Sequence, residues 1–214
     1  MNNNEIINIS PTQEWDTDKC VTFLKTIEEF GVFSNMAGVK VGLNKLMVAG
    51  ISIRTSEHLY QACRYPDRPD IQQLILNDPS PKGAKMVAKK HDHLTHSRPD
   101  WKSIGLDVMR WAIRIKLAGN YDQLGRGFLL SGQRDIVEVA PRNSPSGRFW
   151  GAVPYGQTFV GSNIMGQLLM ELRAEFKKKS REEMLMVTAP SISNFKLLGQ
   201  LMVTPEPVPL LLAA

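Results

Sequence analysis

The chain has 214 residues, 43% of them apolar and 22% charged, a balance that excludes global disorder and suits one globular domain with or without a tail. Its 26 basic and 21 acidic residues leave a formal charge of +5, which fits a polyanionic ligand as well as a chain that binds none. The longest apolar stretch, Leu210 to Ala214, is too short to span a bilayer, and Cys20 and Cys63 match no metal or redox spacing. Met1 to Asn4 lead directly into a polar mix with no secretory pattern, so the expectation is a cytoplasmic protein with buried, reduced thiols.

Residues 1–20 read as an N-terminal arm, with Ile6, Ile7 and Ile9 suited to an edge strand. Val21 to Met36 is rich in aromatic and aliphatic residues and carries Phe33-Ser34-Asn35. Val39 to Ile53 alternates apolar and polar positions around Gly42 and Gly50, which predicts a hairpin with Leu46, Val48 and Ile51 partly buried. Helices follow: one capped by Thr55 or Ser56 and stopped by Pro66, then Asp70–Asn77, then Pro81 to Lys90. Lys102 to Leu117 carries Leu106, Met109, Ile113 and Leu117 at helical spacing, and Leu124 to Leu130 forms another helix. Asp135 to Val139 has strand character, a Pro/Ser/Gly-rich loop leads to Trp150, and Ser162 to Lys178 is the last clear helix. Residues 180–214 are a C-terminal extension that packs on the body, extends it or serves assembly.

Three clusters could carry chemistry. In Ser56-Glu57-His58-Leu59-Tyr60-Gln61-Ala62-Cys63-Arg64, helical spacing puts Glu57, Gln61 and Arg64 on one face. The bland reading of that face is a solvated polar stripe. Lys116 shares its stripe with Met109 and Ile113, so its ammonium either snorkels out or is held in a pocket. If held, desolvation makes a neutral, nucleophilic amine available. Gly161-Ser162-Asn163 before a helix is either a turn with amides facing an anion or a plain helix start, and Trp150 either stacks on a base or fills the core. The string His91, His93, His96 reads as a polar loop rather than a metal site, and Lys177-Lys178-Lys179 as a solvated helix end.

Taken in order, these pieces resemble the NADAR (NAD- and ADP-ribose-associated, or YbiA-like) family. The match runs through Phe33-Ser34-Asn35, Ser56 to Ala62, Arg98-Pro99-Asp100-Trp101, Val108-Met109, Lys116, Ile136-Val137-Glu138, Trp150-Gly151 and Gly161 to Gly166. The resemblance implies a predominantly helical α+β fold, a single compact domain over residues 21–179, and hydrolysis of N-glycosidic bonds without a metal or cofactor. One branch of the family cleaves phosphoribosylamino-pyrimidine intermediates of riboflavin biosynthesis. Another removes ADP-ribose from guanine bases in DNA, countering toxins that install it, and the wording Tyr60 to Pro66 with Ser97 to Trp101 is more similar to this second branch. It implies ADP-ribosylated DNA as partner, a cognate ADP-ribosyltransferase toxin, and no membrane. The family's acidic residue three positions before Trp-Gly is Gly147 here, so a non-catalytic ADP-ribose reader is an alternative.

The roles this implies are catalytic for Glu57, Lys116 and Glu138. Lys116 would displace the base amine by transimination, or instead orient the sugar while Glu57 or Glu138 assists direct attack of water. Arg64 and Arg98 would face phosphates, Asn35, Asn163 and the amides around Gly161 the ribose and pyrophosphate, and Trp150 a ring. Phe33, Ser34, Ser56, Tyr60, Gln61, Trp101 and Gly151 complete the expected binding set.

Overall fold

In the computed structural model, residues 12–38, 46–48, 50–94, 97–141 and 145–202 are described. In chain order come β1 (Gln13–Asp16), β2 (Cys20–Phe23), β3 (Leu46–Val48) and β4 (Ile51–Ile53), followed by helices α1 (Ser56–Ala62), α2 (Pro69–Asn77), α3 (Pro81–Asp92), α4 (Trp101–Gly119) and α5 (Tyr121–Ser131). Then β5 (Asp135–Glu138), α6 (Pro145–Trp150), β6 (Val153–Tyr155), β7 (Thr158–Gly161), α7 (Ile164–Lys178), α8 (Arg181–Leu185), β8 (Lys196–Leu197) and β9 (Gln200–Leu201) complete the chain. Helix predominates over strand, the α+β class anticipated. No helix among the described residues is long and apolar enough to cross a membrane.

The chain divides into two units, Met1–Ser34 with Gly127–Ala174, and Asn35–Arg126 with Glu175–Ala214. In the first, β1, β7 and β6 form an antiparallel sheet in that order, while β2 pairs in parallel with β5. The end of the arm is therefore built into a sheet from Gln13 onward; Ile6, Ile7 and Ile9 lie outside the described residues. Trp15, Val137 and Ala152 make a buried cluster, and the Trp15 indole donates to Gly161 O at 3.1 Å. Phe33 is fully buried, stacked on Phe30 and Phe128 with centroids 5.8 and 5.4 Å away. The Pro/Ser/Gly-rich stretch before Trp150, expected to be a loop, includes α6, and beyond it the β6–β7 hairpin, turned by Gly156 at φ +58°, was not anticipated.

Asn163 ties this unit together. Its side-chain oxygen accepts from Glu138 N at 3.0 Å and its amide nitrogen donates to Ile136 O at 2.8 Å. Residues two apart on a strand point their backbone groups the same way, so one carboxamide stands where a neighbouring strand would. Asn163 adopts φ 49°, a region that Asn tolerates better than most residues. The next turn leaves no room for a side chain, because a Cβ on Gly166 would lie 1.9 Å from Ile136 O.

In the second unit α1 packs against α2, α3 and α4, and β3 pairs with β4 as the expected hairpin. Val48 and Ile53 are buried and Ile51 half-buried; Leu46's side chain lies outside the description. Thr55 Oγ1 caps α1 by accepting from His58 N, and Ser80 caps α3 by accepting from Gly83 N at 3.0 Å. The helix α1 ends at Ala62, sooner than Pro66 alone suggests. The C-terminal extension packs on this unit: Phe195 sits edge-on to Trp111, and buried Gln72 donates to Lys196 O and accepts from Leu198 N. Its segment from Val203, with Pro205, Pro207 and Pro209, lies outside the described residues.

Substituting Asn163→Ala removes both bonds to β5 and sets an alanine at positive φ. Each lost bond to a buried partner costs about 1–3 kcal/mol, so a loss of about 2–4 kcal/mol in urea unfolding is expected. A loss under about 1 kcal/mol would show that β5 does not depend on this clamp.

Candidate functional site

The Glu57 carboxylate is buried in the second unit, at 3% exposure. Gln61, one turn on, donates to its Oε1 at 2.8 Å, and the Asn35 side-chain amide donates to its Oε2. Asn35 is itself fixed by α1, because Glu57 N and Ser56 Oγ both donate to its carbonyl at 3.0 Å. Burial pushes the Glu57 carboxyl above the ordinary glutamate range, opposed by the Gln61 bond, the charge of Lys85, the Asn35 bond and the charge of Arg64. The solvated-stripe reading is thus overturned at Glu57 and Gln61, which are both buried. Spacing alone could not show this, because the opposite face, with Leu59, Ala62 and Cys63, is buried too.

From Gln61 the polar line continues outward. Arg64 Nη1 donates to Gln61 Oε1 at a long 3.4 Å, and Nη2 pairs with Asp92 at 2.8 Å. The guanidinium carbon lies 5.4 Å from the centre of the Trp101 ring, whose other neighbour is Tyr60 at 4.8 Å. Tyr60 is 8% exposed, and burial pushes its phenol upward.

Lys116 is held rather than snorkelled. It is 2% exposed in the last turn of α4, and burial pulls its amine down to about 7. A helix C-terminus favours a cation, so desolvation here outweighs the dipole. The unit that buries Glu57 on α1 therefore also buries Lys116 on α4, the helix against which α1 packs. Glu138, on β5, belongs to the first unit and is half-buried.

Other expected ligand contacts have structural work. Arg98 is the clearest case. Its guanidinium pairs with Asp100 at 2.6 and 2.9 Å and donates to Ser193 O at 2.7 Å, so it anchors the extension instead of standing open to phosphate. A surface pocket of about 410 Å³ opens beside it, lined by Asp67, Ser97, Pro99 and Asn194 among others but by none of Glu57, Gln61, Arg64 or Lys116. Around Gly161 the amides are engaged, Ser162 N with Arg148 O at 2.8 Å and Asn163 N with Gly151 O at 3.0 Å. Gly161 and Gly151 permit backbone contact: a Cβ on Gly161 would lie 2.4 Å from Gly151 O, and one on Gly151 2.2 Å from Glu138 O. Phe33 lies in the aromatic core and Ser34 is buried beside it in sequence. Trp150 is half-buried with its ring edge-on to Phe149, and Gly147 falls within α6.

Lys85 and Asp92 were not foreseen. Lys85 reaches the charge environment of Glu57 from α3, and Asp92 holds Arg64 from the end of the same helix. Only tertiary packing reveals either. Among the described residues no group of His, Cys, Asp and Glu is arranged to hold a metal; His96 lies outside them.

The family model described as "NADAR domain" matches residues 22–177. The chloroplastic riboflavin biosynthesis protein PYRR of Zea mays is 31% identical over 80% of this chain, which spans only 27% of the maize protein's length. An N-glycosidase of Nostoc punctiforme is 27% identical, with 73% of this chain matched to 92% of that protein. The NMR structure of the E. coli protein YbiA aligns with a TM-score of 0.60 and 29% identity, over 75% of this chain and 86% of that one. With its family model matched from β2 to the last turn of α7, the chain belongs to the NADAR family.

Proposed function

We propose that this chain is an N-glycosidase that removes ADP-ribose from ADP-ribosylated guanine in DNA, with Lys116 as nucleophile and Glu57 as the proton-transfer group. The observation that carries the reading is the buried amine of Lys116, brought down to about 7 by burial, in the same helical unit as a buried carboxyl pinned by Asn35 and Gln61. A lysine that is half neutral near pH 7 can attack a carbon–nitrogen double bond. A carboxyl raised by burial can hold the proton that a leaving amine needs.

In the proposed sequence the sugar of the glycosylamine opens to an imine at its anomeric carbon. Lys116 Nζ adds to that carbon, and the exocyclic base amine leaves with a proton from Glu57. Water then adds to the resulting Schiff base, the carbon–Nζ bond breaks, and free ADP-ribose and the lysine amine are restored. Arg64, backed by Trp101, faces the phosphates. A cognate ADP-ribosyltransferase toxin would supply the substrate.

A second reading has its own support. Relatives from Zea mays and Vibrio vulnificus carry the name riboflavin biosynthesis protein. The same buried pair would serve a phosphoribosylamino-pyrimidine, which presents the same bond. Turnover separates the readings: ADP-ribose released from an ADP-ribosylated guanine oligonucleotide supports the first, and cleavage of the pyrimidine alone supports the second. Tight ADP-ribose binding with no release from either would mark a reader, and both enzymatic readings would go.

On the active substrate, Glu57→Gln is expected to lower kcat about 10²–10⁴-fold. Borohydride added during turnover is expected to fix the sugar to Lys116, read by peptide mass. Continued turnover with no adduct would leave direct attack of water. The rate is expected to rise with pH as Lys116 loses its proton near 7.

Burial of Lys116 also predicts a stability signature. The amine is depressed in the fold, so between about 7 and the ordinary 10.5 the unfolded chain holds the extra proton and stability rises with pH. Lys116→Met is therefore expected to be more stable than the parent near pH 6, by a few kcal/mol, with the gap closing by about pH 10. Equal urea midpoints near pH 6 would mean that the amine is not desolvated.

A further inference from the structure

The helix α3 carries Lys82, Lys85, Lys89 and Lys90, all exposed, while Ala84 and Ala88 on its other side are completely buried. At helical spacing Lys82, Lys85 and Lys89 line one stripe, with Lys90 beside it and His93 beyond. Within α3 they stand against a single acid, Asp92, so the helix itself carries an excess of positive charge. Elsewhere cations are commonly paired: Lys19, Arg64, Arg68, Arg98, Arg110, Arg114, Lys179, Arg181 and Lys196 all sit in ion pairs, and none of the four lysines on α3 does, among the described residues. The two acids bracketing the stripe are engaged, Asp78 with Ser80 N at 2.9 Å and Asp92 with Arg64 and Ser97.

A helix end explains only part of this pattern. Lys89 and Lys90 lie in the last turn, where the dipole favours cations, but Lys82 lies in the first turn, where it opposes one, and Lys85 lies in neither. Lys82 and Lys85, and Lys85 and Lys89, also repel each other at i,i+3 and i,i+4 spacing. Local stability therefore argues against the stripe, and a polyanionic partner argues for it. Its position points the same way. The helix α3 packs on α1, and the charge of Lys85 reaches Glu57, so one lysine of the stripe stands within electrostatic reach of the candidate site.

We propose that this stripe is the track on which a nucleic-acid strand lies, through its phosphates, while one base is presented to Glu57 and Lys116. Lys82 to Lys89 extends roughly 10 Å at about 1.5 Å per residue, or about three nucleotide steps of about 3.4 Å. The choice of nucleic acid as the carrier of the glycosyl bond rests on the function proposed above; the binding surface itself does not. A membrane is disfavoured because the apolar side of α3, Ala84 and Ala88, is already buried, which leaves Met86 as the one large apolar side chain the helix exposes, too little to insert.

The test is fluorescence anisotropy of the full chain with an unmodified single-stranded DNA of about twenty nucleotides, over a salt series. For about three phosphate contacts the logarithm of affinity should fall against the logarithm of salt with a slope near −2. The triple variant Lys82→Gln, Lys89→Gln, Lys90→Gln, which leaves Lys85 in place, is expected to bind at least about tenfold more weakly with a slope shallower by about 1 or more. Glutamine is close to lysine in helix propensity, so α3 is retained. No binding by the parent at low salt, or equal binding by the variant, overturns the proposal. So does lysine-dependent binding to phosphatidylserine vesicles with none to DNA. Because no turnover is read, a chain that binds the strand but releases no ADP-ribose would sink the substrate assignment and leave the stripe standing.

Discussion

Burial of two ionisable groups in one helical unit is the constraint on which the rest depends. Glu57 and Lys116 would each be far better solvated at the surface, since an isolated buried charge is among the most expensive things a fold can hold. The protein meets the problem differently at the two positions. Glu57 keeps neutral hydrogen-bond donors on both oxygens, Gln61 and Asn35, while burial raises its carboxyl toward the protonated form. Lys116 is driven toward the neutral amine. Desolvation moves the two in opposite directions, an acid up and a base down, and so brings both nearer the pH at which a proton can pass with little driving force in either direction.

The helix that makes this possible could not stand alone. With seven residues, α1 is shorter than isolated helices that persist in water. It forms because Thr55 caps it, because α2, α3 and α4 surround it, and because Asn35 returns to it with both carbonyl and side chain. The same contacts that make α1 a helix therefore also orient the carboxylate. His58, on the next position, points its ring to Thr55 Oγ1 at 2.8 Å and Asp78 O at 3.1 Å, and serves the same packing. Polar residues on this helix are divided between holding the frame and facing the site, and the division is set by which neighbour each one meets.

The helices were legible because burial leaves a period: the edges of α2, α3, α4 and α7 fall within a few residues of those expected from apolar spacing, Pro and caps. The hairpin β3–β4 was legible for the same reason at period two. What escaped was structure without a period. The β6–β7 hairpin and α6 are too short to repeat any pattern, and α6 hides in a stretch whose glycine, serines and prolines read as loop. The motif residues were found and their work was harder to foresee. Gly161-Ser162-Asn163 looks like an anion cradle because small residues and a helix start are common to both uses. In the fold the glycine admits a backbone crossing and the asparagine completes a strand edge. Composition cannot tell these apart, since both need the same residues for the same steric reason.

Arg64 and Arg98 show how differently two guanidinium groups can be held. Sequence offers no distinction, for each stands in a short motif, Arg64-Tyr65-Pro66 and Arg98-Pro99-Asp100, that says nothing of its partners. Arg98 is inside a closed set of acceptors: a carboxylate takes its Nε and Nη2, and the carbonyls of the extension take what remains. Displacing any of them for a phosphate would release the extension. Arg64 has its guanidinium carbon 5.4 Å from the Trp101 ring centre, reaches Gln61 only at 3.4 Å, keeps Nε without a hydrogen-bond acceptor among the described residues, and pairs with Asp92, a carboxylate 41% exposed. With Arg64 17% and Asp92 41% exposed, the pair is half open to water and weaker than a fully buried one would be. One polar line thus runs from the buried carboxyl of Glu57 through the amide of Gln61 to a guanidinium whose carboxylate partner, Asp92, reaches solvent.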